Sequence, residues 1–180
     1  MTVAELAPAL VAAVLVLWAL GAHNRLVRLR NAIRAAWEQI DESLRRRHEA
    51  LPALLAALRE PLAAEHPTLD AVADALAQQR VATDALRATP VGAETAAFLR
   101  ADGVLASSIA RLLALLDQQP ALRERDDVAA WLRELHDSDL RLAFARQAFN
   151  DAVDAYNAAL AQFPTRLLRP LFGFVAGRRL

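Results

Sequence analysis

Residues His23 to Pro52, HNRLVRLRNAIRAAWEQIDESLRRRHEALP, constrain this chain more than any other stretch. Leu26, Leu29, Ile33, Trp37, Ile40, Leu44, Leu51, Leu54 and Leu58 follow steps of three and four, with one gap at Arg47 and His48. That is the period of a helix burying one stripe. It predicts a helix from about residue 24 to 62, about 58 Å long at the standard rise. Such a helix cannot stand alone in water and must pack lengthwise against other long helices. Pro52 falls inside it, where it removes a donor and its ring clashes with the preceding turn. The apolar pattern resumes in register at Leu54, Leu55 and Leu58, so a kink is expected and not a stop.

Before this stretch, Leu6 to Ala22 is uncharged and almost wholly apolar, LAPALVAAVLVLWALGA. Its length is at the lower limit of what crosses a bilayer core, about 17 residues. A cleaved signal peptide is the alternative, since Ala19 and Gly21 supply a small-x-small site. Met1 to Glu5 contain no Arg or Lys, however, so the basic leader of a signal peptide is missing. Arg25, Arg28, Arg30 and Arg34 follow the segment, and the positive-inside rule then places the N-terminus outside and the larger part in the cytoplasm. Trp18, with Arg25 and Arg28, suits the membrane interface.

The 180 residues therefore divide into an anchor, residues 1–22, a helical domain, 23–164, and a basic and aromatic tail, 165–180. Glu65-His66-Pro67-Thr68 reads as a turn, with Pro67 ending one helix and Thr68 capping the next. That second helix runs from about residue 68 to 87 and a third from about 94 to 118, separated by the Pro and Gly of ATPVGA. From Val128, the series Trp131, Leu135, Leu142, Ala145, Phe149, Val153, Tyr156, Leu160 and Phe163 predicts a second long helix, with Ser138 at its one polar step. The expected fold is all-α, an N-terminal transmembrane helix continuing into an elongated antiparallel four-helix bundle with two long and two shorter helices.

The four Asn form two pairs at heptad spacing, Asn24 with Asn31 and Asn150 with Asn157. With Asn24 level with Asn157, Asn31 falls level with Asn150, so their amides could bond across an antiparallel interface; exposure or local bonding is the alternative. The opening stretch HNRLVRLRNAIRAAWEQIDESLRRRHEALPALL, followed far downstream by ARQAFNDAVDAYNAALAQFP and LFGF, resembles the LemA family of bacterial membrane proteins. The resemblance implies an N-terminal transmembrane helix, a short outside N-terminus, a cytoplasmic helical domain and no established biochemical activity. It carries over Asn24, Asn31, Trp37, Asp41, Arg46, Arg47 and Pro52, and Arg146, Asn150, Tyr156, Asn157, Phe163 and Pro164. His23 and Phe149 stand where the family usually has Tyr, and residues 60–120 match only loosely. Asp41, Arg47 and Arg146 join the four Asn as candidates for structural polar pairing, with Arg47 reaching Asp139 or Asp137.

Chemistry finds little foothold. There is no Cys, which removes thiol catalysis, thiolate metal sites and disulfides. His48-Glu49 lacks the second His of a zinc-protease pair, and no phosphate loop or nucleophile elbow is present. No catalytic residue, cofactor or metal is expected, and 21 basic against 21 acidic residues give no reason to expect nucleic acid. In the tail, Arg166 and Arg169 interleave with apolar residues including Phe172 and Phe174, so it either contacts lipid headgroups or folds back over the bundle end. The expected function is a non-enzymatic scaffold or adaptor presenting a helical surface to a protein partner. Anionic-lipid binding or self-assembly in the envelope is the alternative.

Overall fold

The computed structural model describes residues 3–88, 94–162 and 175–180, with side chains from Leu10 onward. Val3–Leu58 is one unbroken helix, α1, of 56 residues, about 84 Å at the standard rise. Its leading part is long and apolar enough to cross a membrane. Leu10, Val11, Val14, Leu15, Val16, Leu17 and Leu20 are all exposed there, which are the properties of a membrane-associated helix. After a 3-10 turn at Ala63–Glu65 come α2 (His66–Ala88), α3 (Thr95–Asp117), the single turn α4 (Pro120–Arg123) and α5 (Asp126–Ala161). Among the described residues there is no strand.

The elements form an antiparallel bundle. Near one end Arg25 of α1 bonds Gln162 just after α5, midway Arg47 bonds Asp139, and at the far end Arg125 bonds the carbonyl of Ala57. On the other side of α1, Asp41 meets Arg87 and His48 meets Gln79, so α2 also runs against α1. Two apolar cores lie along this axis. The one nearer the apolar end gathers Leu26, Ile33, Trp37, Ile40 and Leu44 of α1 with Leu86, Phe98, Leu142, Phe149, Val153 and Tyr156. Trp37 and Phe149 meet edge to face there, with ring centroids 6.3 Å apart, a favoured aromatic geometry. The distal core gathers Leu51, Leu54 and Leu58 with Leu69, Val72, Leu76, Leu105, Leu112, Val128 and Leu135.

Two expectations at the α1–α2 connection are corrected. The turn is earlier than the Pro67-based assignment, because α2 already begins at His66. Pro67 therefore sits in the first turn, where its missing N–H removes no helical bond, and Thr68 lies inside the helix and not at its cap. The last turn of α1 contains no basic residue to meet its free carbonyls. Distant side chains meet them instead: Arg125 donates to Ala57, and the His66 ring to the carbonyl of Arg59 just beyond the helix. Arg125 also bonds Asp127 in the acidic first turn of α5, and that hydrogen bond holds the Asp127 carboxyl at about 2.

α1 continues through Pro52, and the described contacts show how. A proline at 52 cannot donate to the carbonyl four residues back, that of His48. The guanidinium of Arg80, from α2, donates to that same carbonyl. What Pro52 withholds from within the helix is thus supplied from the neighbouring one, and α2 is docked in the process. Removing Arg80 takes away this exposed hydrogen bond, at a cost of about 0.5–1.5 kcal/mol. Replacing Pro52 by Ala restores the internal donor. Urea unfolding of Arg80→Ala, Pro52→Ala and the double variant is expected to show a smaller Arg80→Ala penalty in the Pro52→Ala background, by about 1 kcal/mol; equal penalties would refute the pairing.

Candidate functional site

Between the two apolar cores lies a polar layer, and it holds the densest chemistry of the described residues. Each helix but the single turn α4 contributes at a position where its apolar stripe would otherwise continue: Arg47 on α1, Gln79 and Thr83 on α2, Asp102 on α3 and Ser138 on α5 are all buried. Asp139, beside Ser138, lies at the edge of the layer with its side chain 40% exposed.

Arg47 is the hub. Its side chain is 8% exposed, and its Nη1 lies 2.8 Å from Asp102 Oδ1. Its Nε and Nη2 lie 2.9 and 2.8 Å from Asp139 Oδ1. The other oxygen of Asp102 accepts from Arg146 Nη2 at 2.8 Å. Arg146 also places its guanidinium carbon 5.5 Å from the centroid of the Phe98 ring, a cation-π contact. Gln79 connects α2: its amide nitrogen stands 3.4 Å from Asp102 Oδ1, and its oxygen accepts from His48 Nε2 at 2.5 Å. Two carboxylates thus meet two guanidiniums, and with a neutral His48 the layer carries no net charge.

Burial by itself would raise the Asp102 carboxyl, but the charges of Arg146 and Arg47 and their hydrogen bonds outweigh it and hold the group below its ordinary 3.8. His48 is shifted below 6.5, first by burial and then by the charges of Arg80, Arg87 and Arg47, against the opposing bond to Gln79. No group of three His, Asp or Glu able to hold a metal occurs among the described residues. Among the described residues, one concavity is an open surface groove of about 280 Å³ lined by Arg46, Glu49, Ala50, Ala130, Trp131 and Glu134. Most of the layer's charged groups are engaged with one another, the buried Nε of Arg146 having no hydrogen-bond partner among the described residues, and the arrangement is that of a register key joining four helices.

The sequence-derived candidates fall in different places. Arg47 and Arg146 meet at Asp102, which periodicity had not singled out; the available signal was an acid on the stripe Phe98, Leu105, Ile109 and Leu112. Asp41 is bonded by Arg87 at 2.5 Å, at the α1–α2 surface. The amide pairing across α1 and α5 is not what the structure shows. Arg25 bonds Gln162, so Asn24 stands near the end of α5, about five residues or 7.5 Å beyond Asn157 at the helical rise. Asn24 and Asn31 are exposed, while Asn150 and Asn157 bond the backbone of Leu180 and Gly177. Trp18 is 40% exposed on the apolar part of α1, and Arg25 and Arg28 are exposed about two and three turns further along. Arg166, Arg169, Phe172 and Phe174, with Phe163 and Pro164, lie outside the described residues.

Removing Asp102 tests the layer. Asp102→Ala leaves Arg146 with no ion pair among the described residues and Arg47 with Asp139 alone. The expected loss is about 3–5 kcal/mol in urea unfolding, against at most about 0.5 kcal/mol for the exposed Arg45→Ala. A small loss at Asp102 would mean that the layer is not what holds the register. Acid acts on both shifted groups in the same direction. His48 charges more readily unfolded than folded, so stability is full above 6.5 and falls as pH drops below it. The stability owed to Asp102 is present above 3.8 and lost as pH falls through the lower folded value. Urea midpoints followed from neutral pH downward should show both declines, and His48→Gln should abolish only the first.

Similarity to known proteins agrees with this architecture. Magnetosome protein MamQ of Magnetospirillum gryphiswaldense is 32% identical over 78 residues, which is 43% of this chain and 29% of that protein. Magnetosome proteins MamQ 1 and MamQ 2 of Paramagnetospirillum magneticum are each 30% identical over the same extent. The chain thus spans less than a third of the length of these curated relatives. The LemA family matches residues 36–179, from Ala36 on α1 through the polar layer to the tail. With four-fifths of its length matched, the chain belongs to the LemA family.

Proposed function

We propose that this protein is a single-pass membrane protein without catalytic activity, and that its helical bundle is a cytoplasmic scaffold that offers a helical face to a protein partner. The observation that carries this reading is on α5. Leu140 and Phe144, one helical turn apart, are 47% and 76% exposed, although the same helix buries Leu142 and Ala145 in the core. Exposed apolar side chains in such a row suit the groove or helix of another protein. The interior supports the same reading, because the carboxylates of Asp102 and Asp139 are paired with Arg47 and Arg146. The apolar start of α1 supports anchoring, and Arg25, Arg28, Arg30 and Arg34 directly after it support an outside N-terminus.

The test uses the full-length protein in its membrane, with a photo-activated crosslinking residue at position 144 and, as a control, at the exposed position 123. A defined protein adduct at 144 alone, lost when Leu140 is changed to Glu, is the expected result. Leu140→Glu, at a half-exposed position, should unfold in urea within about 0.5 kcal/mol of the parent, as exposed substitutions do, so a lost adduct reports binding and not misfolding. Equal crosslinking at 123 and 144, or lipid adducts alone, would overturn the scaffold reading.

A further inference from the structure

Asn150 and Asn157 treat residues 175–180 as a ligand. The Asn157 amide donates to the carbonyl of Gly177 at 3.0 Å and accepts from the N–H of the same residue at 2.9 Å. Asn150 repeats the arrangement on Leu180, with both bonds at 2.8 Å. Each carboxamide therefore pairs with one backbone residue as a peptide unit does in a ladder, and reads main chain without regard to side chain. The spacing is matched. Seven residues of helix advance about 10.5 Å, and three residues of extended or polyproline-like chain about 9–10 Å.

Specificity comes from what lies between the two amides. Asp154 shares their face of α5, and its Oδ2 lies 3.7 Å from Arg179 Nη1. The Leu180 side chain packs against the core nearer the apolar end of α1, where Leu29 and Ala152 also lie. Gly177 and Leu180 are half-buried, while Val175, Ala176, Arg178 and Arg179 are exposed. The site thus selects an extended segment of the pattern small, any, basic, large apolar.

We propose that Asn150, Asp154 and Asn157 form a binding site for an extended peptide strand, and that its occupant is exchanged between copies, the segment 175–180 of one chain docking on α5 of another. The site lies toward the apolar end of α1, level with its first turns after the anchor. This rests on the membrane-anchored reading above, because chains held in one membrane plane present tail and site at the same height. Residues 163–174 connect α5 to the docked segment, and twelve residues reach up to about 40 Å when extended. Exchange replaces each bond with an identical one, which makes swapping inexpensive.

The chain lacks cysteine, so introduced thiols are unique. Ala158→Cys in one tagged full-length chain and Ala176→Cys in another, both exposed positions beside the Asn157–Gly177 contact, co-expressed and treated with a short bifunctional thiol reagent, should give crosslinked dimers carrying both tags. Asn150→Ala with Asn157→Ala should lower the yield about tenfold or more, since four hydrogen bonds are lost. An excess of the free peptide VAGRRL should also compete, and a scrambled peptide should not. If only a chain carrying both cysteines crosslinks, within itself, the tail does not exchange and the proposal fails. It fails equally if dimers form undiminished without the two Asn. Membrane sedimentation of the same samples scores anchoring separately, so the two readings can fail independently.

Discussion

The buried contact between Arg47 and Asp102 is the constraint on which the rest of the bundle depends. An interior made mainly of leucine and alanine tolerates sliding of one helix along another by a turn, because one aliphatic side chain replaces another at little cost. Two guanidiniums and two carboxylates in one layer remove that tolerance. A slip of α1, α3 or α5 would leave a buried charge without its partner, at a cost of several kcal/mol. Asp102 commits α3 to both long helices, Asp139 and Arg146 commit α5, and the chain from Asp102 through Gln79 to His48 brings in α2. The apolar cores on either side supply the bulk of the burial, and the layer sets the alignment at which that burial occurs.

The same region shows why periodicity could reach only part of the answer. The stripes from Leu26 to Leu58 and from Val128 to Leu160 announced two long helices, because burial along one face is written directly as spacing. The gap at Arg47 and His48 and the polar step at Ser138 marked the layer on those helices. Their partners were harder to see. Asp102 and Gln79 sit on stripes interrupted by Ala, Gly and polar residues, and a lone acid at a core position gains meaning only once its counter-charge is known. The amides illustrate another limit. Heptad spacing showed that Asn150 and Asn157 share a face, but the register of α1 against α5 depends on contacts distant in sequence, and the backbone of residues 177–180 carries no pattern that names it as their partner.

Pro52 belongs to the same argument. Its cost is fixed by covalent chemistry, whereas its compensation depends on α2 arriving with Arg80 at the right height. Arg80 and Gln79 are neighbours in sequence, and they engage the carbonyl and the ring of the same residue, His48. One docking event therefore satisfies a backbone defect and completes the charge layer, and each contact helps to set the geometry of the other.

The unbroken course of α1 has a mechanical consequence. Because no loop separates its apolar start from the bundle, any tilt of that start is carried along the helix as by a lever arm. From Ala22 to Leu58 it extends about 54 Å, and a tilt of about 20°, ordinary for a membrane-crossing helix, swings the far end through about 18 Å. With the apolar start held in a bilayer, as proposed above, changes in bilayer thickness or lateral pressure around it would thus appear, magnified, as displacement of the distal core.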